Sequence, residues 1–141
     1  MTTIVGLCLL VAVALGIRHA RQRLVLVLVC GNSMAPTLRD GDLLLVRRTL
    51  GRSLRRGEVV VFANPRADGD LAWPQWLVKR VTALAGDEVP TDDHGGVRVP
   101  EGCYYVRGDN ADSLDSRHFG YVRSEAVLGV PLRPTGWEPR C

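Results

Sequence analysis

Lysine is almost missing from this sequence: 17 of its 18 basic residues are arginine, and the remaining one is Lys79. Cysteine is scarce as well, with four residues at 8, 30, 103 and 141 that form no C-x-x-C pair and no Cys/His spacing suited to zinc. Nothing supports a Cys30–Cys103 bridge, and buried free thiols are expected. Cys141 is the last residue, so it is no prenylation box. No glycine-rich phosphate loop, internal repeat or low-complexity tract occurs. A basic excess on the folded part is lacking too. Arg18, Arg21 and Arg23 carry the net charge of +3, and the rest of the chain balances 15 basic against 15 acidic side chains. That balance argues against nucleic acid as a partner. At 141 residues there is no room for a second core of useful size, and 46% hydrophobic against 23% charged residues excludes wholesale disorder.

What is present begins with an apolar run of 14 residues, Ile4 to Ile17, ending at Arg18. As a helix it spans about 21 Å, or about 25 Å with the first three residues added, against roughly 30 Å of bilayer hydrocarbon. A thinned bilayer and snorkelling arginines can accommodate that length. A signal-peptide core with Ala14-Leu15-Gly16 as its cleavage site competes, but no charged side chain precedes the run. A buried core helix would need a polar face, which this run lacks. The expectation is a single membrane anchor over residues 1–23, in contact with membrane lipid. Its orientation is open, because the basic cluster Arg18–Arg23 follows the span and pulls the remainder towards the cytoplasm.

Beyond Arg23 the pattern changes to short β-rich segments separated by turn residues. Strands are expected at Leu24–Cys30, Asp42–Arg48, Glu58–Ala63, Trp76–Ala83, Val97–Val99, Cys103–Arg107 and Ala126–Val130, with no helix longer than about two turns. The fold class is all-β: a twisted, partly closed antiparallel sheet over residues 24–130, followed by a loosely ordered, proline-rich tail over 131–141. His19, His94 and His118 fall in basic or loop contexts and read as solvated side chains.

Three segments differ from ordinary strand and turn filler. In Gly31-Asn32-Ser33-Met34-Ala35-Pro36-Thr37-Leu38, a serine follows an apolar strand directly, with glycine two residues before it and a stiffening proline after it. It reads as a nucleophile or as a plain serine turn. In Trp76–Ala83, alternation places Leu77, Lys79 and Val81 on one face and Trp76, Val78 and Arg80 on the other. A lysine on an interior face loses solvation and its pKa falls. The alternative is an edge-strand guard against aggregation. Arginine fills the basic positions elsewhere, and a guard could equally be arginine, but a general base could not, since guanidinium does not deprotonate. The third segment, Gly108–Arg117, offers Ser113 and Ser116 hydroxyls and an Asp115/Arg117 pair able to brace a loop. Alone, it reads as a polar surface loop.

Together these segments resemble the signature boxes of the type I signal peptidase family, membrane-anchored Ser–Lys proteases. Residues 31–38 match G-x-S-M-x-P-T-L. Gly41-Asp42 and Arg56–Phe62 are similar to the strands that follow. Lys79-Arg80-Val81 with Gly86-Asp87 resembles K-R-V-x-G-x-P-G-D. Gly108–Arg117 with Gly120 and Val122 resembles G-D-N-x-x-x-S-x-D-S-R-x-x-G-x-V. The resemblance covers residues 30–130. It departs at Ala83 and Ala85, which replace Gly and Pro, and in the last box, which is one residue short. About a dozen residues stand where larger members insert a β-domain. Glycine at 31 removes a hydroxyl that helps bind the oxyanion in some members.

The resemblance implies a serine endopeptidase that cleaves signal peptides or propeptides after small residues. Ser33 would be the nucleophile and Lys79 its general base, with Ser113 orienting the lysine and Asp115 and Arg117 bracing the loop. The Ser33 backbone N–H would be the main oxyanion donor. Preprotein or propeptide substrates would bind as extended strands, with no cofactor or metal. The resemblance also implies a single-pass protein of the cell membrane with an extracytoplasmic catalytic domain. Two rivals stand: a cytoplasm-facing maturation protease that trims one propeptide, and a non-catalytic, membrane-anchored peptide-binding protein. A self-cleaving repressor would need a DNA-binding helix-turn-helix, and residues 1–23 are apolar instead.

Overall fold

The computed structural model describes residues 2–49, 53–67 and 74–132. Helix α1 (Thr2–Arg23) runs directly into strand β1 (Leu24–Leu28), followed by β2 (Leu43–Arg48), β3 (Val59–Ala63), β4 (Trp76–Ala83), the one-turn helix α2 (Thr91–His94), β5 (Cys103–Arg107), the one-turn helix α3 (Ser116–Phe119), β6 (Val122–Arg123) and β7 (Val127–Pro131). The seven strands form one sheet in the order β1-β2-β7-β3-β4-β5-β6, with every neighbouring pair antiparallel.

That sheet cannot be flat. Four strand intervals separate β1 from β4, about 19 Å in a flat sheet. Yet Ser33, just past β1, lies 2.6 Å from the side chain of Lys79 on β4. The sheet therefore curls until its β1 edge faces β4, a partly closed half-barrel. Register shifts between Val61 and Phe62 and between Val81 and Ala83 mark bulges, which bend and twist the strands they interrupt.

Period-two alternation sorts the side chains onto two faces. Val60, Phe62, Val81, Val106 and Val122 pack together on one face with Leu54 and Val130. Val29, Met34, Leu38 and Val59 form a second cluster under the loop that carries Ser33. A third, Ala83, Val89, Val99 and Tyr105, closes the far end. Burying each such Val or Phe contributes up to about 1.5–3 kcal/mol, which makes β3 and β4 the rigid centre on which the site is built.

Several expectations need correction. Val97–Val99 is not a strand, since only an isolated Glu88–Arg98 bridge pairs there. Its residues serve as turn partners of 86–89 through backbone bonds such as Val99 N–H to Asp87 O. The pair β6 and the helices α2 and α3 were not anticipated, because two- and four-residue elements are too short to show a period. Pro131 ends β7, so the last strand enters the segment read as tail, and residues 133–141 lie outside the described residues. Cys30 is exposed and Cys103 only half-buried, and neither is bonded to another cysteine. His118 is not merely solvated, because its Nδ1 accepts from the Asp115 N–H at the start of α3. Among the described residues, no helix is long and apolar enough to cross a membrane.

Candidate active site

Lys79 stands in the middle of β4, which is hydrogen-bonded to β3 on one side and β5 on the other. An edge-guard role is therefore excluded. Alternation turns its side chain inward with Val81 and Ala83, and only 2% of it is exposed. Nζ reaches Ser33 Oγ at 2.6 Å. Burial is the largest influence on this ammonium and brings its pKa down from 10.5 to about 8, against the opposing pull of Asp115 and then Asp109. A lysine that loses its proton this easily can act as a base near neutral pH.

The serine is delivered by a loop whose geometry is fixed by its own backbone. Gly31, at φ +88°, makes a turn that a side chain would strain, and its N–H donates to Asp40 Oδ1 at 2.6 Å. The Val29 N–H donates to Asp42 O and the Gly41 N–H to Val29 O, closing the loop at its base. Met34 anchors it from below, 1% exposed. The Ser33 N–H donates to no group among the described residues, so it is free to face a ligand.

The third segment is far from a loose surface loop. Asp115 is fully buried and accepts from Gly108 N–H at 2.9 Å, from Arg117 N–H at 3.2 Å, and from Arg117 Nε and Nη2 at 2.9 Å each. Burial pushes this carboxyl up, but the guanidinium and the two backbone donors outweigh it, and the net shift is downward. Arg117 also donates to the carbonyls of Ala111 and Ser113, tying the loop to one point. Ser116 accepts from the Val106 N–H at 2.9 Å and docks α3 on β5. Ser113 is 1% exposed and its Oγ has no hydrogen-bond partner among the described residues. A Cβ added at Gly108 would collide with Ser113 Oγ and with the Ser33 carbonyl, so glycine at 108 is what lets the two loops meet.

Sequence reasoning missed one element of this site. Arg80, on the opposite face of β4 from Lys79, forms a two-point ion pair with Asp109 at 2.8 and 2.6 Å. The same guanidinium reaches the Gly57 carbonyl at 2.8 Å and Thr37 Oγ1 at 3.4 Å. One arginine thus joins the loop after β1, the turn before β3 and the loop after β5. Gly108-Asp109-Asn110 is consequently more than turn chemistry, since Asn110 also donates through its N–H to the Ser33 carbonyl and through Nδ2 to the Asn32 carbonyl. The available signal was that Thr37, Arg80 and Asp109 all fall inside the three boxes, but no local pattern pairs them.

The model of the family described as signal peptidase, peptidase S26, matches residues 1–97 and 90–133. The chain belongs to that family. Signal peptidase I of Bacillus caldolyticus is 33% identical over an alignment covering 70% of this chain and 72% of its own. Mitochondrial inner membrane protease subunit 2 of Mus musculus is 34% identical, covering 77% of this chain and 65% of its own. A solved signal peptidase I from Enterococcus faecalis V583 superposes with a TM-score of 0.44 at 25% identity, over 56% of this chain and 97% of that one. Membership of the signal peptidase family makes this chain a protease, and among the described residues no cluster of His, Cys, Asp or Glu could hold a metal ion.

Proposed function

We propose that this chain is a membrane-anchored serine endopeptidase that cleaves the signal peptides or propeptides of preproteins after small residues, with Ser33 as nucleophile and Lys79 as general base. The observation that carries this reading is the 2.6 Å contact between a buried Lys79 Nζ and Ser33 Oγ. Neutral Lys79 takes the serine proton as Oγ bonds to the scissile carbonyl carbon, and the carbonyl oxygen becomes an oxyanion beside the free Ser33 N–H. The ammonium then gives its proton to the departing amine, leaving an acyl-enzyme. Water, deprotonated by the same lysine, hydrolyses the ester and restores Ser33.

Ser113 takes the part of orienting Lys79 by family resemblance alone, since its buried hydroxyl has no hydrogen-bond partner among the described residues, and Asp115 and Arg117 hold that loop in place. Substrate lies in the groove of about 530 Å³ between β1 and β4, with Ser33 and Lys79 in its wall. There the unpaired edge of β1 offers backbone hydrogen bonds to an extended peptide. The preference for small residues and for preproteins follows from family membership. Ser33→Ala and Lys79→Ala should each reduce peptide cleavage by about 10⁴-fold or more while leaving the fold intact, because the pair acts as a unit. A tenth of wild-type turnover in Ser33→Ala would refute the mechanism.

Helix α1 is the anchor of this reading: it falls short of the length and apolarity that cross a membrane outright, but its Val5, Leu7, Leu9 and Leu10 are each at least 64% accessible. Carbonate extraction should leave the intact protein in the membrane pellet and release a chain lacking residues 1–23, and release of both would dismiss the anchor. The basic cluster after α1 keeps the cytoplasm-facing maturation protease as the second reading. Digestion of the catalytic part by protease added outside intact cells favours the extracytoplasmic arrangement, and protection favours the other.

A further inference from the structure

The groove carries a charge of one sign only. Among the described residues, its single charged side chain apart from Lys79 at the reacting end is Arg48, at the end of β2, and no carboxylate lines it. Unlike Arg48, the arginines around the site's other loops are engaged, Arg80 with Asp109, Arg107 with Asp92 and Arg117 with Asp115, whereas Arg47 and Arg123 are unpaired among the described residues but lie outside the groove. Arg48 is exposed, and its guanidinium makes no hydrogen bond or ion pair among the described residues. An unpaired cation beside an otherwise apolar groove has no structural task in holding the sheet together.

Its place along the groove follows from the register. Leu24 pairs with Arg47, so Arg48 sits beside the start of β1, whereas Ser33 follows the end of that strand. A peptide laid along β1 at about 3.3 Å per residue therefore passes Arg48 about five residues before the end of β1, and the bond cleaved at Ser33 lies further on. The direction follows from α1, which joins β1 at that same end. If α1 lies in the membrane, the apolar part of a signal peptide approaches from there, and that part precedes the cleavage site. Arg48 then faces the upstream side of the substrate.

We infer that Arg48 is a specificity-determining residue, which favours substrates with an acidic side chain about five to eight residues before the cleaved bond and disfavours basic ones. This inference rests on the peptidase reading above. The opposite charges attract across a part-solvated groove, and the preference should fade as salt screens the pair.

The test uses the full chain in zwitterionic vesicles and three peptides that differ only in carrying Glu, Gln or Lys at the fifth residue before the bond. Wild type should show kcat/KM for the Glu peptide about 3–10-fold above that for the Lys peptide at low salt, and Arg48→Glu should reverse the order. Equal rates in wild type, or an order unchanged in Arg48→Glu, would overturn the inference alone. A preference that emerges only after anionic lipid is added would overturn it in favour of a lipid headgroup as the partner of Arg48. Failure to cleave any of the three peptides would overturn the peptidase reading, and this inference with it.

Discussion

The two halves of the site are built to opposite specifications. Around Lys79, the side chains of Ser113, Asp115 and Ser116 are at most 2% exposed, and Asp115 alone accepts four hydrogen bonds. Around Ser33, Cys30, Gly31 and Asn32 are exposed, and the loop is held mainly by backbone atoms and the Asp40 and Asn110 side chains. A base must be taken out of water to lose its proton, and that requires a closed, well-bonded wall. A nucleophile must be reached by a peptide, and that requires an open one. The curled sheet satisfies both by putting the base on a central strand and the nucleophile beyond an edge strand.

If the halves are matched at one point, a small insertion there should break both. Gly108→Ala is that insertion, because its methyl group has Ser113 on one side and the Ser33 carbonyl on the other. Overpacking of this kind costs about 1–3 kcal/mol in stability. Displacing the serine by even 1 Å costs about 100-fold in rate. Cleavage assays alongside thermal melting should therefore show a loss of rate far larger than the loss of stability. A variant with unchanged turnover would mean that the two loops do not need their present spacing.

A smaller effect, of opposite sign, should sharpen the contrast. The closed half pays for its chemistry in stability, since at neutral pH Lys79 is charged where burial disfavours charge. Its folded pKa, about 8, lies below its unfolded value, 10.5, so between those values the unfolded chain binds more protons. Stability should rise with pH across that window. Lys79→Met, which fills the same space without charge, should therefore melt at a higher temperature than wild type at pH 7. The gain should shrink as pH approaches 10.5. A variant less stable than wild type at pH 7 would show that the ammonium supports the fold.

The same contrast explains what was legible in the sequence. Strands Trp76–Ala83 and Cys103–Arg107 were readable to the residue, because both faces of each are tied to alternation or to a clear turn. Period two placed Lys79 on one face with Leu77 and Val81, and its central strand is what turns that face inward. Val97–Val99 misled because three apolar-flanked residues carry no period of their own, and their bonds are set by the turn at 86–89. The Arg80–Asp109 pair was invisible because its partners are 29 residues apart and meet only once the sheet curls. In Gly108–Arg117 the Asp115/Arg117 brace was readable from its spacing, but the burial was not, because a run of Asp, Asn and Ser looks solvated.

The central claim is that Lys79 works as a neutral base in a closed wall, and the pH dependence of kcat/KM on a peptide without titrating groups measures it most directly. The rate should rise through an apparent pKa of about 8, the value that burial leaves to this lysine. The limb should vanish in Lys79→Arg, whose activity should fall by about 10³-fold or more because guanidinium keeps its proton. A rate that climbs only near the solvated lysine value of about 10.4, or an active Lys79→Arg enzyme, would contradict the account.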